Sequence, residues 1–333
     1  MGGKVSTLVV LTTLTVLFIS TAAAHVPRTA SENESLEHAK IIDDPIKSWA
    51  IYADLREGDV ANYYQMEMEE GERLYVSILL PQNEGFVPDL AIMGPGIDQN
   101  DTTPDFIEKP EDVGVEIIKG ELDERVYEPF TPGSYYHPAS YDQEIDKYGT
   151  YHVAVYNEEE TGGKYGLAVG YRETWGPIEW IRLPIDVIQI RLWEGQPIWL
   201  IFAPMISVLG TGFVWTAWRK NKNKKIPKNL NEWGLLISSL LYIGSGAMML
   251  MQTIIAASTS SPGIAVIVTL IFVLIPLIVG YKLWERSSDF KDAKREDKIK
   301  IVIFGLVGLL IWAGLIVGPL IAMISGILPM ERP

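Results

Sequence analysis

Four stretches of the chain carry no charged residue: 199–217, 233–257, 264–281 and 301–330. Each reaches or exceeds the roughly 18 apolar residues that mark a helix able to cross the hydrocarbon core of a bilayer. The basic residues collect in alternate connections. Arg219, Lys220, Lys222, Lys224, Lys225 and Lys228 separate the first two stretches. Lys282, Arg286, Lys291, Lys294, Arg295, Lys298 and Lys300 separate the last two, whereas the middle connection, Ser258 to Gly263, is uncharged. Lys and Arg resist translocation, so both basic loops are expected in the cytoplasm. This predicts spans at 199–218, 233–257, 264–283 and 301–326 and basic loops at 219–232 and 284–300. The expected result is a four-helix transmembrane bundle with the short C-terminal tail outside.

The formal net charge of −14 averages two opposite parts. Residues 25–195 hold 35 acidic and 13 basic side chains, a net of −22, while residues 196–333 carry a net of +7. Residues 1–24 read as a signal peptide: Lys4, an apolar run over Leu8–Ile19, and the small-residue exit Ala22-Ala23-Ala24. The signal and the basic loops agree in placing the acidic block outside a multi-pass protein of the cell membrane. An acidic exterior speaks against nucleic-acid binding. The chain has no cysteine, which excludes disulfides, thiolate chemistry and Cys-ligated metals. The outer block is long enough to bury a core without such cross-links.

After a polar, flexible acidic segment at 25–45, residues 46–174 change to short runs of strand formers. Tyr63–Met68 and Leu74–Leu80 flank the turn Glu69-Glu70-Gly71-Glu72, and Leu90–Met93 runs into Gly94-Pro95-Gly96. Val113–Ile118, Tyr151–Tyr156 and Tyr165–Tyr171 follow, with Gly162-Gly163 expected to turn the last hairpin. Seven or eight such strands predict an antiparallel sandwich. The order Tyr63-Tyr64-Gln65-Met66-Glu67-Met68, Leu74-Tyr75-Val76-Ser77-Ile78, Pro88-Asp89-Leu90-Ala91-Ile92, Gly149-Thr150-Tyr151-His152-Val153 and Gly163-Lys164-Tyr165-Gly166-Leu167 resembles the pre-peptidase C-terminal domain of bacteria and archaea. The resemblance spans about residues 55–172. It implies an all-β, jelly-roll-like sandwich and a non-catalytic binding or adhesion role.

Candidate ligand sites are few. Asp98, Asp101, Asp105 and Glu108 lie in one loop-rich stretch and could offer oxygen ligands to a structural calcium ion. No cofactor is otherwise expected. Cleavage after Ala24 would make His25 the terminal residue, whose amine and imidazole could bind copper with a second histidine, His137 or His152. Tyr135, Tyr136 and Tyr141 either form a recognition surface or fold back over the core. Asp89 is expected to hydrogen-bond nearby backbone. Asn33-Glu34-Ser35 and Asn100-Asp101-Thr102 are glycosylation sequons. No nucleophile–base motif occurs, so catalysis is not expected.

Residues 175–198 carry Trp175, Trp180, Trp193 and, at the edge of the first span, Trp199 among aliphatic residues. Trp favours the headgroup zone, so this stretch reads as an interfacial helix or collar on membrane lipid. The spans hold no ionisable residue, which argues against proton-coupled pumping. They do hold small residues, including the GxxxG step Gly314 to Gly318, suited to close helix packing. Four spans exceed what tethering needs. The expected role is therefore an accessory or scaffold subunit, packed against other membrane subunits or its own copies, whose sandwich binds an extracellular protein or glycan. The alternative is a transporter or channel component with the sandwich as a substrate-capturing cap.

Overall fold

The computed structural model describes residues 25–81, 85–97, 103–159, 161–290 and 293–328. The expected signal peptide, Asp98, Asp101 and the sequon at Asn100 fall outside these residues. The chain divides into two compact units: a β-region that includes the first turn of the following helix, and a helical region.

The β-region has twelve strands among the described residues: β1 (Val26–Thr29), β2 (Lys40–Ile41), β3 (Trp49–Leu55), β4 (Ala61–Met68), β5 (Arg73–Leu79), β6 (Asp89–Gly94), β7 (Gly114–Ile118), β8 (Val126–Glu128), β9 (Gly133–Tyr135), β10 (Ser140–Glu144), β11 (Gly149–Tyr156) and β12 (Gly163–Val169). They form two five-stranded sheets, ordered β1-β3-β12-β5-β10 and β2-β4-β11-β6-β7, with β8-β9 as a separate pair. Period-two alternation builds the core between the sheets. Ile51, Leu55, Val76, Ile78, Leu167 and Val169 come from the first sheet, and Tyr64, Met66, Ile92, Tyr151, Val153 and Val155 from the second, all buried in one cluster. The outer face of the second sheet is covered too. Tyr63, Ala91, Met93, Val115, Ala154 and Tyr156 form a second cluster with Ile107.

Three expectations are corrected here. The segment 25–45 is not a free linker, because β1 pairs with β3 and β2 with β4, in both cases parallel. The sandwich is therefore not wholly antiparallel. Nor do Gly162 and Gly163 turn a hairpin, since β11 pairs with β4 and β6 while β12 pairs with β3 and β5. The connection is an arch from one sheet to the other, and both strands are central. A Cβ on Gly163 would collide with the ring of Phe86, so the arch has room only for glycine.

The helical region comprises α1 (Pro177–Trp193), α2 (Ile198–Asn221), α3 (Leu230–Thr259), α4 (Val266–Arg286), α5 (Arg295–Leu310) and α6 (Val317–Ile327). The helices α2, α3 and α4, the last with its leading turn Gly263–Ala265, are long and apolar enough to cross a membrane. The fourth expected span is not one helix. The stretch 301–326 breaks at Trp312, Gly314, Leu315 and Ile316, which all have positive φ. Left-handed backbone costs an L-residue roughly 1–2 kcal/mol, so a run of it stops the α-helix and reverses the chain. The two arms pack antiparallel. A Cβ on Gly326 would lie 3.2 Å from the side chains of Ile301 and Val302, and Gly305 meets Met323 and Pro319. Gly314 and Gly318 therefore share no helical face, which corrects the GxxxG reading. Both still serve close approach, to Leu241 and Tyr242 of α3.

Candidate functional site

The first sheet gathers two of the four histidines at serine side chains. His25 Nδ1 is 2.6 Å from Ser48 Oγ, and His137 Nδ1 is 3.3 Å from Ser77 Oγ. Burial, and secondarily the nearby His137, pull His25 down to about 4; burial also lowers His137. His25, held that low, is neutral near pH 7 and poorly matched to proton abstraction there. The two serines are each only 1 % exposed. The arrangement joins strands and offers a nucleophile no route to substrate. Of the two candidate second ligands, the structure associates His137 with His25. His152 lies on β11 in the other sheet, opposite Gln65 and Met93.

Of the expected calcium residues, Asp105 and Glu108 are among the described residues. Glu108 accepts the Leu36 N–H at 2.7 Å, and its own N–H donates to Tyr63 Oη at 2.9 Å. Its carboxylate thereby fastens the 33–39 segment over the second sheet, while Asp105 stands exposed. Among the described residues no group of three or more His, Asp or Glu side chains is placed to hold a metal ion. Asp89 behaves as expected: its carboxylate accepts the Gly120 N–H at 2.7 Å and pairs with Lys119 Nζ at 2.8 Å.

The tyrosines fold back over the core. Tyr135 and Tyr141 are 4 % and 7 % exposed, Tyr141 within the main cluster. Tyr136 packs against that cluster with the Arg125 guanidinium over its ring. Tyr135 and Tyr141 are thus packing side chains, and Tyr136 is half-buried beside them. Asn33 is buried and donates its amide to the Tyr63 carbonyl at 3.0 Å, so the first sequon has no free acceptor nitrogen.

The junction expected at 175–198 is the helix α1. Its first turn is held to the sandwich by Lys47 Nζ, which reaches both Glu179 oxygens at 2.7 and 2.8 Å. The Gly176 N–H donates to the same carboxylate, Trp175 packs on the core, and Trp180 meets Trp175 edge to face. Glu179 is held below the usual carboxylate range, with Lys47 and the Gly176 N–H outweighing its desolvation. Sequence reasoning missed this latch, because Lys47 and Glu179 are 132 residues apart and each reads as a surface charge.

The far end of α1 carries a buried polar cluster, also missed. Arg191, 2 % exposed, pairs with Glu194 at 2.7 Å; Gln196 donates to Glu194 and exchanges two hydrogen bonds with Gln252 of α3. The expected topology residues Arg219 and Lys220 end α2, and Lys222, Lys224, Lys225 and Lys228 fill the loop after it. Lys225 pairs with Asp289 at 2.9 Å, and buried Glu232 accepts the N–H groups of Lys228 and Phe290. Both basic loops therefore meet at the N-terminal end of α3. Trp199 is 67 % exposed on α2.

No family model matches the chain, and no curated protein matches it. Among solved structures, the pre-peptidase C-terminal domain of collagenase from Bacillus anthracis is similar at 18% identity and a TM-score of 0.24, covering 39% of this chain and 93% of that one.

Proposed function

We propose that the protein is a membrane-anchored surface module: the sandwich stands outside the cell and binds an extracellular protein or glycan, and the helices dock it as an accessory or scaffold subunit. One observation carries this reading. The chain leaving the sandwich joins α3 at Gln252, whereas the basic loops gather at Glu232. Twenty residues of helix separate these points, about 30 Å at 1.5 Å per residue, the thickness of a hydrocarbon core. Residues 25–195 carry a net charge of −22 and the loops at the Glu232 end of α3 are basic, which fits insertion with those loops in the cytoplasm. Binding is favoured over catalysis because Ser48 and Ser77, the serines paired with His25 and His137, are buried.

Exposed apolar residues on α2, including Ile206, Phe213, Val214 and Trp215, suit lipid or a neighbouring subunit. Native mass spectrometry of the full chain, purified in mild detergent, tests the reading. A complex of fixed stoichiometry is expected; a monodisperse monomer without any companion counts against the subunit role.

A further inference from the structure

We infer that the last apolar stretch does not cross the membrane: α5 and α6 form a re-entrant hairpin that enters and leaves on the side of the basic loops. The inference rests on the reading of α2, α3 and α4 as spans. It follows from how the hairpin is held. One face of α3, at spacings of seven, four and three residues, presents Asn231, Ser238, Tyr242 and Ser245. Each engages hairpin backbone. Asn231 Nδ2 donates to the Ser325 and Leu328 carbonyls at 2.8 and 3.2 Å, and Ser238 Oγ to the Gly318 carbonyl at 2.7 Å. Tyr242 Oη donates to the Phe304 carbonyl at 2.9 Å, and Ser245 Oγ accepts the Gly314 N–H at 2.7 Å.

The order of these bonds gives the depth. The end of α6 sits beside Asn231, at the basic end of α3, and the hairpin tip sits beside Ser245. From Glu232 to Ser245 is thirteen residues of helix, about 20 Å, so the tip stops partway through a core of ~30 Å. Arm length agrees, since α6 has 11 residues and spans about 16 Å. Non-helical backbone at such depth is tolerated only when protein or water covers it. Ser245 and Tyr242 supply that cover at the tip. The three remaining helices cross an odd number of times, so the C-terminus lies with the basic loops and opposite the 258–263 turn.

Because the chain has no cysteine, single cysteines can report the topology directly. Three variants are labelled in sealed vesicles with a membrane-impermeant maleimide: Lys222→Cys, Ser260→Cys, and a cysteine appended after Pro333. The appended cysteine is expected to react on the side of Lys222→Cys and opposite Ser260→Cys; reaction on the side of Ser260→Cys overturns the proposal. Independently, the pair Ile301→Cys and Gly326→Cys should be joined by a short bifunctional reagent in most molecules. In a straight helix these positions lie about 37 Å apart, so failure of a folded double variant to cross-link overturns the hairpin. The appended cysteine leaves the hairpin's own residues intact and decides sidedness even if the double variant misfolds. Labelling of Lys222→Cys and Ser260→Cys on one side would instead sink the three crossings, with the cross-link still reporting the hairpin.

Discussion

The sandwich and the helical region solve the same packing problem with opposite materials. Between the sheets the large side chains do the filling: Tyr64, Tyr151 and Tyr165 are essentially fully buried, together with Met66, Met68 and Leu74. Around α3 the contacts are made by residues with little or no side chain, Gly308 against Tyr242, Gly244 against Met205, Gly212 against Leu240 and Gly280 against Ile243. Serines complete them by donating to carbonyls, as Ser239 does to Gly280 at 2.7 Å. In water, burying apolar area is itself the driving force. Between helices in lipid that force is absent, and close backbone approach with hydrogen bonding takes its place. Truncation should therefore damage the first region most, and enlargement the second.

The largest expected effect is in the sandwich. Leu167→Ala removes a side chain that is 0 % exposed from a central strand, and should cost about 2–5 kcal/mol. Hydrogen-exchange mass spectrometry of the full chain should show faster exchange throughout the sandwich peptides, with α3 unchanged. Equal loss in both regions would erase the contrast.

Gly308→Val sharpens it from the other side. The new Cβ has no room beside the Tyr242 hydroxyl, so overpacking of about 1–3 kcal/mol or more is expected. Exchange should rise in α5 and α6 alone.

Acid is expected to find the sandwich first, because all four histidines lie there. Burial, then His137, hold His25 at about 4, below its ordinary value near 6.5. Between these values the unfolded chain binds a proton that the folded one does not, so stability falls as pH drops through that window and levels off below it. The ring is partly exposed, which limits the loss to about 2 kcal/mol or less. Thermal melts from pH 7 to 4.5 should show a falling sandwich transition, flattened in His25→Gln; an unchanged slope in that variant would assign the acid sensitivity elsewhere.

Ser238→Ala is the smallest step. It removes one donor to the Gly318 carbonyl, and hydrogen bonds between membrane helices average about 0.6 kcal/mol. Exchange at the start of α6 should quicken slightly. A multi-kcal/mol loss would mean that hydrogen bonding, rather than close approach, dominates around α3.

What could be read from the residues follows the same division. Strands such as 63–68, 74–80 and 151–156 were legible because alternation and β-formers report directly on a buried face. The pairing was not: Gly162-Gly163 has the composition of a hairpin turn, and an arch between sheets uses the same local chemistry. The strands in 25–45 were hidden because β1 and β2 add to the sheets through backbone bonds, which side-chain patterns do not reveal. Hydropathy found the fourth apolar stretch but could not see its reversal. Gly314 and Pro319, five residues apart inside that run, were the available signal. The residues alone left the burial of Tyr135, Tyr136 and Tyr141 open, because it depends on strands β9 and β10, which are short and weakly patterned.

The strands β1 and β2 have a practical consequence. They form an outer margin of each sheet, and their partners β3 and β4 are buried along most of their length. A chain shortened to begin at Trp49, where the obvious strand pattern starts, would leave both partners as open ladders of unpaired backbone groups. Such rims invite strand addition from other molecules. Soluble expression of the sandwich thus depends on keeping the polar residues from 25 onward, whose value lies in capping both margins against self-association.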